Sequence, residues 1–390
     1  MRRNFHKFVF SVLTGTVILR FAILKFSTDP ISPSERENVL MQPDDLLTTT
    51  AQMPIICKEN TSINTFPKFS EQPQHMKDFL TYRHCKSFPQ LLDSPMKCGG
   101  PDKSNEVFLL LAIKSSPVNY ERREAIRKTW GEENIYKQFQ VRRLFLIGTP
   151  KPQKEEKRIH ELLKIESQTY KDILQWNFFD TFYNLTLKQV LFLQWLENRC
   201  PGAEFVFNGD DDVFVNTINT FTYLHGLGKS GRDHHLFVGA LNIGMPPVRG
   251  PNSKYYVSEE LFAGDSFLPY CGGGGILMSG FTCRSIFKES KQISLFPIDD
   301  AYFGMCLDRA GLKPENHEGI RTFGINLPAA EDSFDPCYYR DMLVVHRFVP
   351  YEMLVMWKAL QVTKLNCGRN KLVKYDNSEK KGTTKGKEGK

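Results

Sequence analysis

The sequence has no two cysteines at the Cys-x-x-Cys spacing that many zinc sites use, although it contains nine cysteines in 390 residues. So many cysteines are uncommon in a cytosolic enzyme, and we therefore predict that most of them form disulfides in a secretory compartment. The odd count leaves at least one thiol free or paired between chains. Sequons for N-glycosylation at Asn60 and Asn184 fit the same compartment.

Away from its two ends, the chain also lacks an excess of basic residues. The formal net charge is +7, but the last 23 residues contribute +5, and Arg2, Arg3 and Lys7 contribute three more positive charges. The remainder is near neutral, at about −1, so we expect no polyanion-binding face and no nucleic-acid partner. The hydrophobic content of 41% and charged content of 24% are those of a globular protein.

The N-terminus lacks both a clear small-residue cleavage site and an uninterrupted apolar span. Residues 1–7 are basic, and the apolar residues 8–19 are followed by Arg20. A spanning helix needs roughly 20 predominantly apolar residues, so Arg20 and Lys25 would have to snorkel toward the interface. We predict a cytoplasmic tail over 1–7 and a single-pass signal-anchor transmembrane segment over 8–26, with the remainder lumenal. A cleaved signal peptide is the alternative.

Residues 27–97 lack a sustained helical or strand period and are rich in Ser, Thr, Pro, Gln and Asn. This composition is typical of a stem that tethers a domain, and we predict a stem over 27–97. Cys57 and Cys85 indicate that its later part is fastened to the folded body. We expect a lumenal catalytic domain over 98–367 and a Lys-rich disordered tail over 368–390. No internal repeat is present.

The first half of the expected domain alternates strand-like and helix-like patterns. Apolar runs at 106–114 and 141–148 are typical of buried strands, and 154–170 and 186–199 have the spacing of amphipathic helices. Such alternation predicts an α/β fold with a mostly parallel sheet. Ligands bind beyond the carboxyl ends of the strands in sheets of this kind.

Three successive carboxylates, Asp210, Asp211 and Asp212, follow the apolar run 205–207. Strand alternation predicts that Asp210 and Asp212 point to one side and Asp211 to the other. Adjacent, partly desolvated carboxylates require a positive partner, and their hard oxygen atoms suit Mg²⁺ or Mn²⁺ carrying a substrate diphosphate. An acidic surface turn between two strands is the alternative.

Three further motifs lie downstream. The glycine run 272–275 allows a ligand to approach the backbone closely, or it is a flexible turn. Asp299 and Asp300 begin a predicted helix, where one of them is expected to act as the cap. His346 ends an apolar run, and a lone histidine at such a place is more often structural than a ligand.

Taken together, five motifs in this order resemble those of the Golgi β1,3-glycosyltransferases of family 31. The similarity covers roughly residues 98–357 and is greatest to the β1,3-N-acetylglucosaminyltransferases, with 333–340 most similar to the branch that extends core 1 O-glycans. The motifs are Arg122–Trp130, Asp210–Phe214, Cys271–Gly275, Pro297–Asp300 and Val345–Arg347.

The resemblance implies a glycosyltransferase A (GT-A) fold, a Golgi membrane location, Mn²⁺, the donor UDP-N-acetylglucosamine and an acceptor ending in galactose. It also implies inversion at the transferred sugar, which requires a general base. By this resemblance, Asp212 and His346 bind Mn²⁺ and Asp300 is the base, with Asp299 as the neighbouring cap. The residues expected to support the donor are Asp210, Asp211, Arg123, Arg127, Gly273 and Gly274.

One residue departs from the family pattern. Many members have a lysine two residues before the acidic triplet, whereas this chain has Asn208. The change removes a positive charge near the carboxylates or the diphosphate, and donor affinity is expected to change with it.

Several alternatives remain open at this point. They are a β1,3-galactosyltransferase on the same scaffold and a non-catalytic lumenal glycan-binding protein. A protein partner would be a second copy of the chain or another glycosyltransferase. We also predict a disulfide between Cys306 and Cys337 and a second one between Cys98 and Cys200.

Overall fold

The computed structural model describes residues 57–136, 138–150, 155–322 and 334–362, together with 365 and 367. The predicted cytoplasmic tail (1–7), transmembrane segment (8–26), first part of the stem (27–56) and Lys-rich tail (368–390) lie outside the described residues. Among the helices that are described, none is both long and apolar enough to cross a membrane.

The described residues form nine α-helices and fourteen β-strands. The helices are α1 (Gln74–Tyr82), α2 (Tyr120–Arg127), α3 (Glu156–Tyr170), α4 (Leu185–Arg199), α5 (Thr217–Gly226), α6 (Gly280–Ser290), α7 (Asp299–Arg309), α8 (Pro336–Tyr339) and α9 (Pro350–Leu360). The strands are β1 (Gln90–Leu92), β2 (Val107–Lys114), β3 (Ile135–Tyr136), β4 (Phe139–Thr149), β5 (Ile173–Phe179), β6 (Phe205–Asp210), β7 (Val213–Val215), β8 (Phe237–Gly239), β9 (Leu241–Asn242), β10 (Tyr270–Cys271), β11 (Gly275–Ser279), β12 (Glu315–Asn316), β13 (Ile320–Arg321) and β14 (Val344–His346).

Nine of these strands form one large sheet in the order β1-β5-β4-β2-β6-β11-β8-β12, with β3 paired to β4. Its centre, β5-β4-β2-β6, is parallel, whereas β1 and β11 join it antiparallel. Strand β2 is buried along its whole length, as expected of a strand covered by helices on both faces. The predicted α/β class with a mostly parallel centre is confirmed.

Two apolar cores lie on the two faces of this sheet. Alternate residues of β2 enter different cores: Leu110 and Ala112 face the core that contains α4, α6 and α7. Leu111 and Ile113 face the core that contains parts of α2 and α9. Ten of the fifteen residues of α4 are buried, so this helix packs between the sheet and the other helices of its layer.

A second, three-stranded sheet brings a distant part of the chain to the acidic triplet. Strand β14 pairs antiparallel with β7, and His346 lies opposite Val213 in the register. The backbone amides of Arg347 and Phe348 both donate to the carbonyl of Asp212. His346 is therefore held beside Asp212 by main-chain hydrogen bonds.

The chain segment 57–97 differs from the stem that its sequence predicts. Helix α1 buries Met76, Phe79 and Leu80 in the core, and β1 pairs with the edge strand β5. The side chain of Trp195 also donates a hydrogen bond to Asp93 at 2.8 Å. Three apolar residues at helical spacing are too few to produce a sustained period, although they are enough to anchor the segment in the folded body.

Six of the nine cysteines form disulfides. The pairs are Cys57–Cys85, Cys98–Cys200 and Cys337–Cys367. The predicted Cys98–Cys200 bond is confirmed, but the predicted Cys306–Cys337 bond is wrong. Cys306 is a buried free thiol on α7, as are Cys271 and Cys283 elsewhere in the core. Cys337 instead closes a short loop with Cys367, a residue near the end of the described chain.

Candidate active site

The acidic triplet lies at the carboxyl ends of two parallel strands. Strand β6 ends at Asp210, β7 begins at Val213, and Asp210 lies opposite Lys114, the last residue of β2. On the other side, β11 starts at Gly275, which lies opposite Gly209. The sequence pattern predicted ligand-binding residues at this edge of the sheet, and the glycine run reaches the same place.

Asp210, Asp212 and His346 form a cluster that could hold a metal ion. Their candidate ligand atoms all lie within 4.8 Å of one another. Nε2 of His346 lies 3.0 Å from a carboxylate oxygen of Asp212 and 3.9 Å from one of Asp210. Nδ1 of the same ring lies 2.8 Å from the carbonyl of Thr322, which orients the imidazole with Nε2 toward the carboxylates.

The electrostatics of this cluster fit a cation site. Burial alone would lower the pKa of His346, but the hydrogen bond and charge of Asp212 outweigh it and raise that pKa. Burial would raise the pKa of Asp212, yet the hydrogen bonds and charges of His346 and Arg122 hold it below its usual range. Two carboxylates and one imidazole are donors that suit Mn²⁺.

Asp211 lies in the turn between β6 and β7 and is not part of the cluster. Its carboxylate is buried and accepts hydrogen bonds from the hydroxyl of Ser115 at 2.7 Å and the amide of Asn119 at 2.9 Å. Arg122 donates to the same carboxylate at 2.9 Å and also lies 3.3 Å from Asp212. Asp211 thus fixes the turn that presents Asp212.

Asp300 lies across the glycine run from His346. One of its oxygens accepts a hydrogen bond from the backbone amide of Gly273 at 2.8 Å. The other, Oδ1, is buried and has no hydrogen-bond partner among the described residues. Burial, followed by repulsion from Asp299, raises the pKa of Asp300 well above its usual range, although Lys114 and the Gly273 amide lower it in part.

The helix cap that the sequence assigned to Asp299 is not formed. Helix α7 has Ile298 at its N-cap position, without a side-chain capping hydrogen bond. Asp299 turns inward instead, where its carboxylate accepts from Lys114 at 3.0 Å and from Gln189 at 3.3 Å. The buried ammonium of Lys114 attracts this carboxylate more strongly than the helix amides do.

The glycines of the run are packed against the site rather than being free to move. A Cβ atom on Gly273 would overlap the carboxylate of Asp300, and one on Gly274 would lie 3.0 Å from the ring of His346. The backbone can approach both functional side chains only because these residues have no side chain. Gly273 and Gly274 therefore lie between His346 of the cluster and Asp300.

Comparison with known proteins agrees with this geometry. A family model described as galactosyltransferase matches residues 121–318. The chain belongs to this family. A human protein named N-acetyllactosaminide β-1,3-N-acetylglucosaminyltransferase 3 is 52% identical over 82% of this chain and 84% of its own. The human acetylgalactosaminyl-O-glycosyl-glycoprotein β-1,3-N-acetylglucosaminyltransferase is 53% identical over 80% of this chain and 81% of its own.

A more distant relative matches a longer part of the chain. The rat protein named UDP-GlcNAc:βGal β-1,3-N-acetylglucosaminyltransferase 7 is 40% identical over 91% of this chain and 86% of its own. The resemblance to family 31 that the motifs indicated is thus confirmed. The chain is a glycosyltransferase of the galactosyltransferase family.

Lys114 lies at the centre of the candidate site, and the sequence analysis missed it. It is 5% exposed, and its ammonium lies 3.0 Å from both Asp210 and Asp299. It also donates to the carbonyl of Gly273 at 3.3 Å. Lys114 therefore links the metal cluster, the glycine run and the helix of Asp300. A lysine at the end of an otherwise apolar strand was the available signal.

Asn208 is buried on β6, two residues before the triplet. Its side-chain amide donates weakly to the carbonyl of Ala112 at 3.4 Å, and its oxygen has no partner among the described residues. The positive charge that a lysine would bring at this position is supplied to Asp210 from the neighbouring strand by Lys114. The acidic triplet therefore still has a buried cation beside it, although Asn208 carries no charge.

Arg123 and Arg127 bind acidic side chains of the protein itself. Arg123 forms a two-bond pair with Glu166, and Arg127 contacts both Glu166 and Asp172. The two guanidinium groups are buried and bound to carboxylates of the chain itself, so direct contact with a nucleotide is not their role. Arg123 does reach the site indirectly, because it donates to the hydroxyl of Ser115, which bonds Asp211.

Proposed function

We propose that this protein transfers N-acetylglucosamine from UDP-N-acetylglucosamine to the 3-hydroxyl of a terminal galactose, forming a β linkage with inversion, in an Mn²⁺-dependent reaction on a GT-A fold. One observation carries the proposal: the cluster of Asp210, Asp212 and His346 lies, across Gly273 and Gly274, beside a carboxylate, Asp300, that has a raised pKa and an unpartnered oxygen. The names of the relatives support the choice of sugar and linkage.

The residues of the cluster fit a manganese ion. Asp212 and His346 are its proposed protein ligands, since the hydrogen bond to Thr322 occupies Nδ1 and leaves Nε2 directed at Asp212. Asp210 is close enough to serve as a ligand or to orient a bound water. When bound, Mn²⁺ would act as a Lewis acid that neutralises charge on the departing diphosphate.

Asp300 is the proposed general base. Its raised pKa makes it a better proton acceptor than an ordinary carboxylate, and the hydrogen bond from Gly273 fixes one oxygen while Oδ1 has no partner among the described residues. The helix N-terminus opposes this shift by favouring the charged form, but burial and Asp299 outweigh it. In a single displacement, the acceptor oxygen bonds to the sugar carbon, the bond to UDP breaks, and the proton passes to Asp300.

The residues proposed to face the donor are those that bring the main chain of the protein close to Asp300 and His346. Gly273 and Gly274 allow the sugar to lie against main chain between Asp300 and His346. Asp211 holds the turn of the triplet through Ser115, Asn119 and Arg122. We assign Asp210 to the ribose and to groups around the metal, Asp211 to holding the turn that contains Asp212, and Arg123 to support of Asp211.

The acceptor is proposed to be a core 1 O-glycan or a poly-N-acetyllactosamine chain. The location is proposed to be the Golgi membrane, with residues 8–26 as the anchor and the catalytic domain in the lumen. Three disulfides in the described residues agree with an oxidising compartment. The matching family is described as galactosyltransferase, and this favours transfer of galactose as the second candidate activity.

A donor comparison tests this proposal. The full chain is incubated with Mn²⁺ and an acceptor that ends in galactose, in parallel with UDP-N-acetylglucosamine and with UDP-galactose, and EDTA serves as the control. We expect transfer from UDP-N-acetylglucosamine alone, abolished by EDTA, and a β1,3 linkage in the product by NMR. Transfer from UDP-galactose alone would establish the second candidate, and EDTA-resistant transfer would contradict the metal assignment.

A further inference from the structure

Lys86 connects the N-terminal segment to the helix layer that carries Asp300. It follows Cys85, which is held by the disulfide to Cys57. Its ammonium donates to the carbonyl of Ser290 at 2.7 Å and to that of Ile293 at 2.6 Å. Ser290 is the last residue of α6, and Ile293 lies in the connection from α6 to α7. Lys86 therefore binds both the C-terminal end of α6 and the connection from α6 to α7, the helix that carries Asp300.

Tyr302 binds the same two carbonyls from the other side. Its side chain is fully buried on α7, and its hydroxyl lies 3.1 Å from the oxygen of Ser290 and 3.2 Å from that of Ile293. A phenol has one proton to donate, so Tyr302 alone satisfies one of these carbonyls at a time. Lys86 supplies the additional donors that allow both to be satisfied.

The charge of Lys86 also matches its position. The C-terminus of a helix carries unpaired carbonyls and a partial negative charge, and a cation there is stabilising. The far end of the same connection is held as well, since the hydroxyl of Thr186 on α4 donates to the carbonyl of Phe296 at 2.6 Å. The connection between α6 and α7 is thus fixed at both ends, and α7 begins three residues after Phe296.

We propose that Lys86 is a positioning residue for Asp300, and that the N-terminal segment 57–97 contributes it to the catalytic machinery. Lys86 does not contact the reacting groups; it acts through Ser290, Ile293 and Tyr302, which together set the position of α7. Asp300 lies two residues before Tyr302 on this helix. The inference rests on the proposed role of Asp300 as the base.

The experiment compares Lys86→Met, Lys86→Arg and the control Lys58→Met, which removes an exposed lysine of the same segment. Each full-chain variant is assayed for kcat and for the KM of UDP-N-acetylglucosamine, and amide hydrogen exchange is followed in α7 and in β4. Small displacements of a catalytic group have large effects on rate, so we expect Lys86→Met to lower kcat about tenfold or more with an unchanged KM. Exchange should quicken in α7 and stay unchanged in β4.

Lys86→Arg keeps a cation and donors at this position, and it should recover most of the kcat that Lys86→Met loses. Lys58→Met should resemble the wild-type chain in every measurement. A normal kcat for Lys86→Met, or α7 exchange equal to that of the wild type, would overturn the proposal. A uniform rise in exchange throughout the chain would also overturn it, because it would indicate loss of general stability.

If Lys86→Met does not fold, Lys86→Gln decides the question, because its amide keeps a polar donor at this position but removes the charge and shortens the reach to the two carbonyls. The proposal expects a lower kcat and an unchanged KM for this variant, and a wild-type kcat would overturn it. If the wild-type chain transfers no sugar from either donor, the proposed function fails. The hydrogen-exchange comparison then decides by itself whether Lys86 holds α7.

Discussion

The imidazole of His346 lies between two oxygens: Nδ1 is 2.8 Å from the carbonyl of Thr322, and Nε2 is 3.0 Å from the carboxylate of Asp212. Both contacts can be hydrogen bonds only when both ring nitrogens carry protons, and Asp212 accordingly raises the pKa of His346. A metal ion needs the neutral ring. A cation bound at Nε2 would therefore take the place of a proton between His346 and Asp212.

This arrangement predicts that His346→Ala and Asp212→Asn lose Mn²⁺-dependent binding of UDP. His346→Ala removes one of the candidate ligand atoms that lie within 4.8 Å of one another, and Asp212→Asn removes the negative charge of another ligand. Titration calorimetry with Mn²⁺ and UDP measures the effect, and His234→Ala, at an exposed histidine, is the matched control. Unchanged metal affinity in both variants would refute the ligand assignment.

Gly273→Ala should impair transfer and leave UDP binding largely intact. The new methyl group would overlap the carboxylate of Asp300 and displace it from the Gly273 amide. Because small displacements of a base slow the reaction steeply, we expect kcat to fall about 100-fold. Gly250→Ala is the control, since its Cβ would meet no described atom within 4 Å. Equal turnover of the two variants would show that this contact does not matter.

As the pH is lowered, kcat should begin to fall at a pH above the usual pKa range of a carboxyl group. We call this fall the acidic limb of the pH profile. Asp300 accepts a proton only when it is ionised, and burial together with Asp299 raises its pKa, so activity is lost as the pH falls through that raised value. Lys114 lowers this pKa in the wild type, and Lys114→Met should move the limb to higher pH. The limb is measured at saturating Mn²⁺ with the exposed Lys128→Met as control.

A shift of the limb to lower pH in Lys114→Met would contradict this electrostatic account. Loss of Lys114 also leaves the buried carboxylate of Asp299 and the partly exposed carboxylate of Asp210 without their shared cation. The variant is therefore expected to unfold more easily, and its melting temperature is recorded beside the pH profile.

Asp172 should dominate the acid stability of the fold. Burial would raise its pKa, but hydrogen bonds and charges of Arg127 and Arg143 hold the pKa below its usual range. Its ionised form thus stabilises the folded state above the unfolded pKa of about 3.9, and this stability is lost as the pH falls through the lower folded value. Asp172→Asn leaves two buried guanidinium groups without this partner and should cost about 3–5 kcal/mol at neutral pH.

Denaturant unfolding at a series of pH values measures this effect, and Asp341→Asn, at an exposed ion pair, is the control. The difference between Asp172→Asn and wild type should begin to shrink below about pH 4, where Asp172 takes up a proton in the unfolded state, and should shrink further as the pH falls through the lower folded pKa. A difference that stays constant down to acid pH would show that packing, and not ionisation, is responsible.

Much of the central fold could be predicted from the sequence because its strands and helices have the apolar patterns typical of such elements. The apolar run of β2 and the helical spacing of α4 predicted these elements within one residue of their bounds. These features depend on residues that are close in the sequence, so a single chain is enough to find them.

The contacts that complete the site depend on which distant segments become neighbours. Lys114 reaches Asp210 because β2 pairs with β6, and it reaches Asp299 through a helix that begins 185 residues later. The partner of Cys337 likewise depends on where the chain beyond α9 returns. The cysteines indicated that the later part of the stem is fastened to the body, but its helix was not predicted because its few buried residues, such as Met76 and Leu80, join a core made by others.

Turnover of Asp300→Asn tests the account most directly. The amide keeps the shape of the side chain but cannot accept the proton of the acceptor hydroxyl, and the groups of the metal cluster are untouched. We predict Mn²⁺-dependent UDP binding equal to wild type and a kcat lower by about 10²–10⁴-fold, the usual contribution of a general base. A kcat within a few-fold of wild type would contradict the central claim, because Asp300 would then be only the start of a helix.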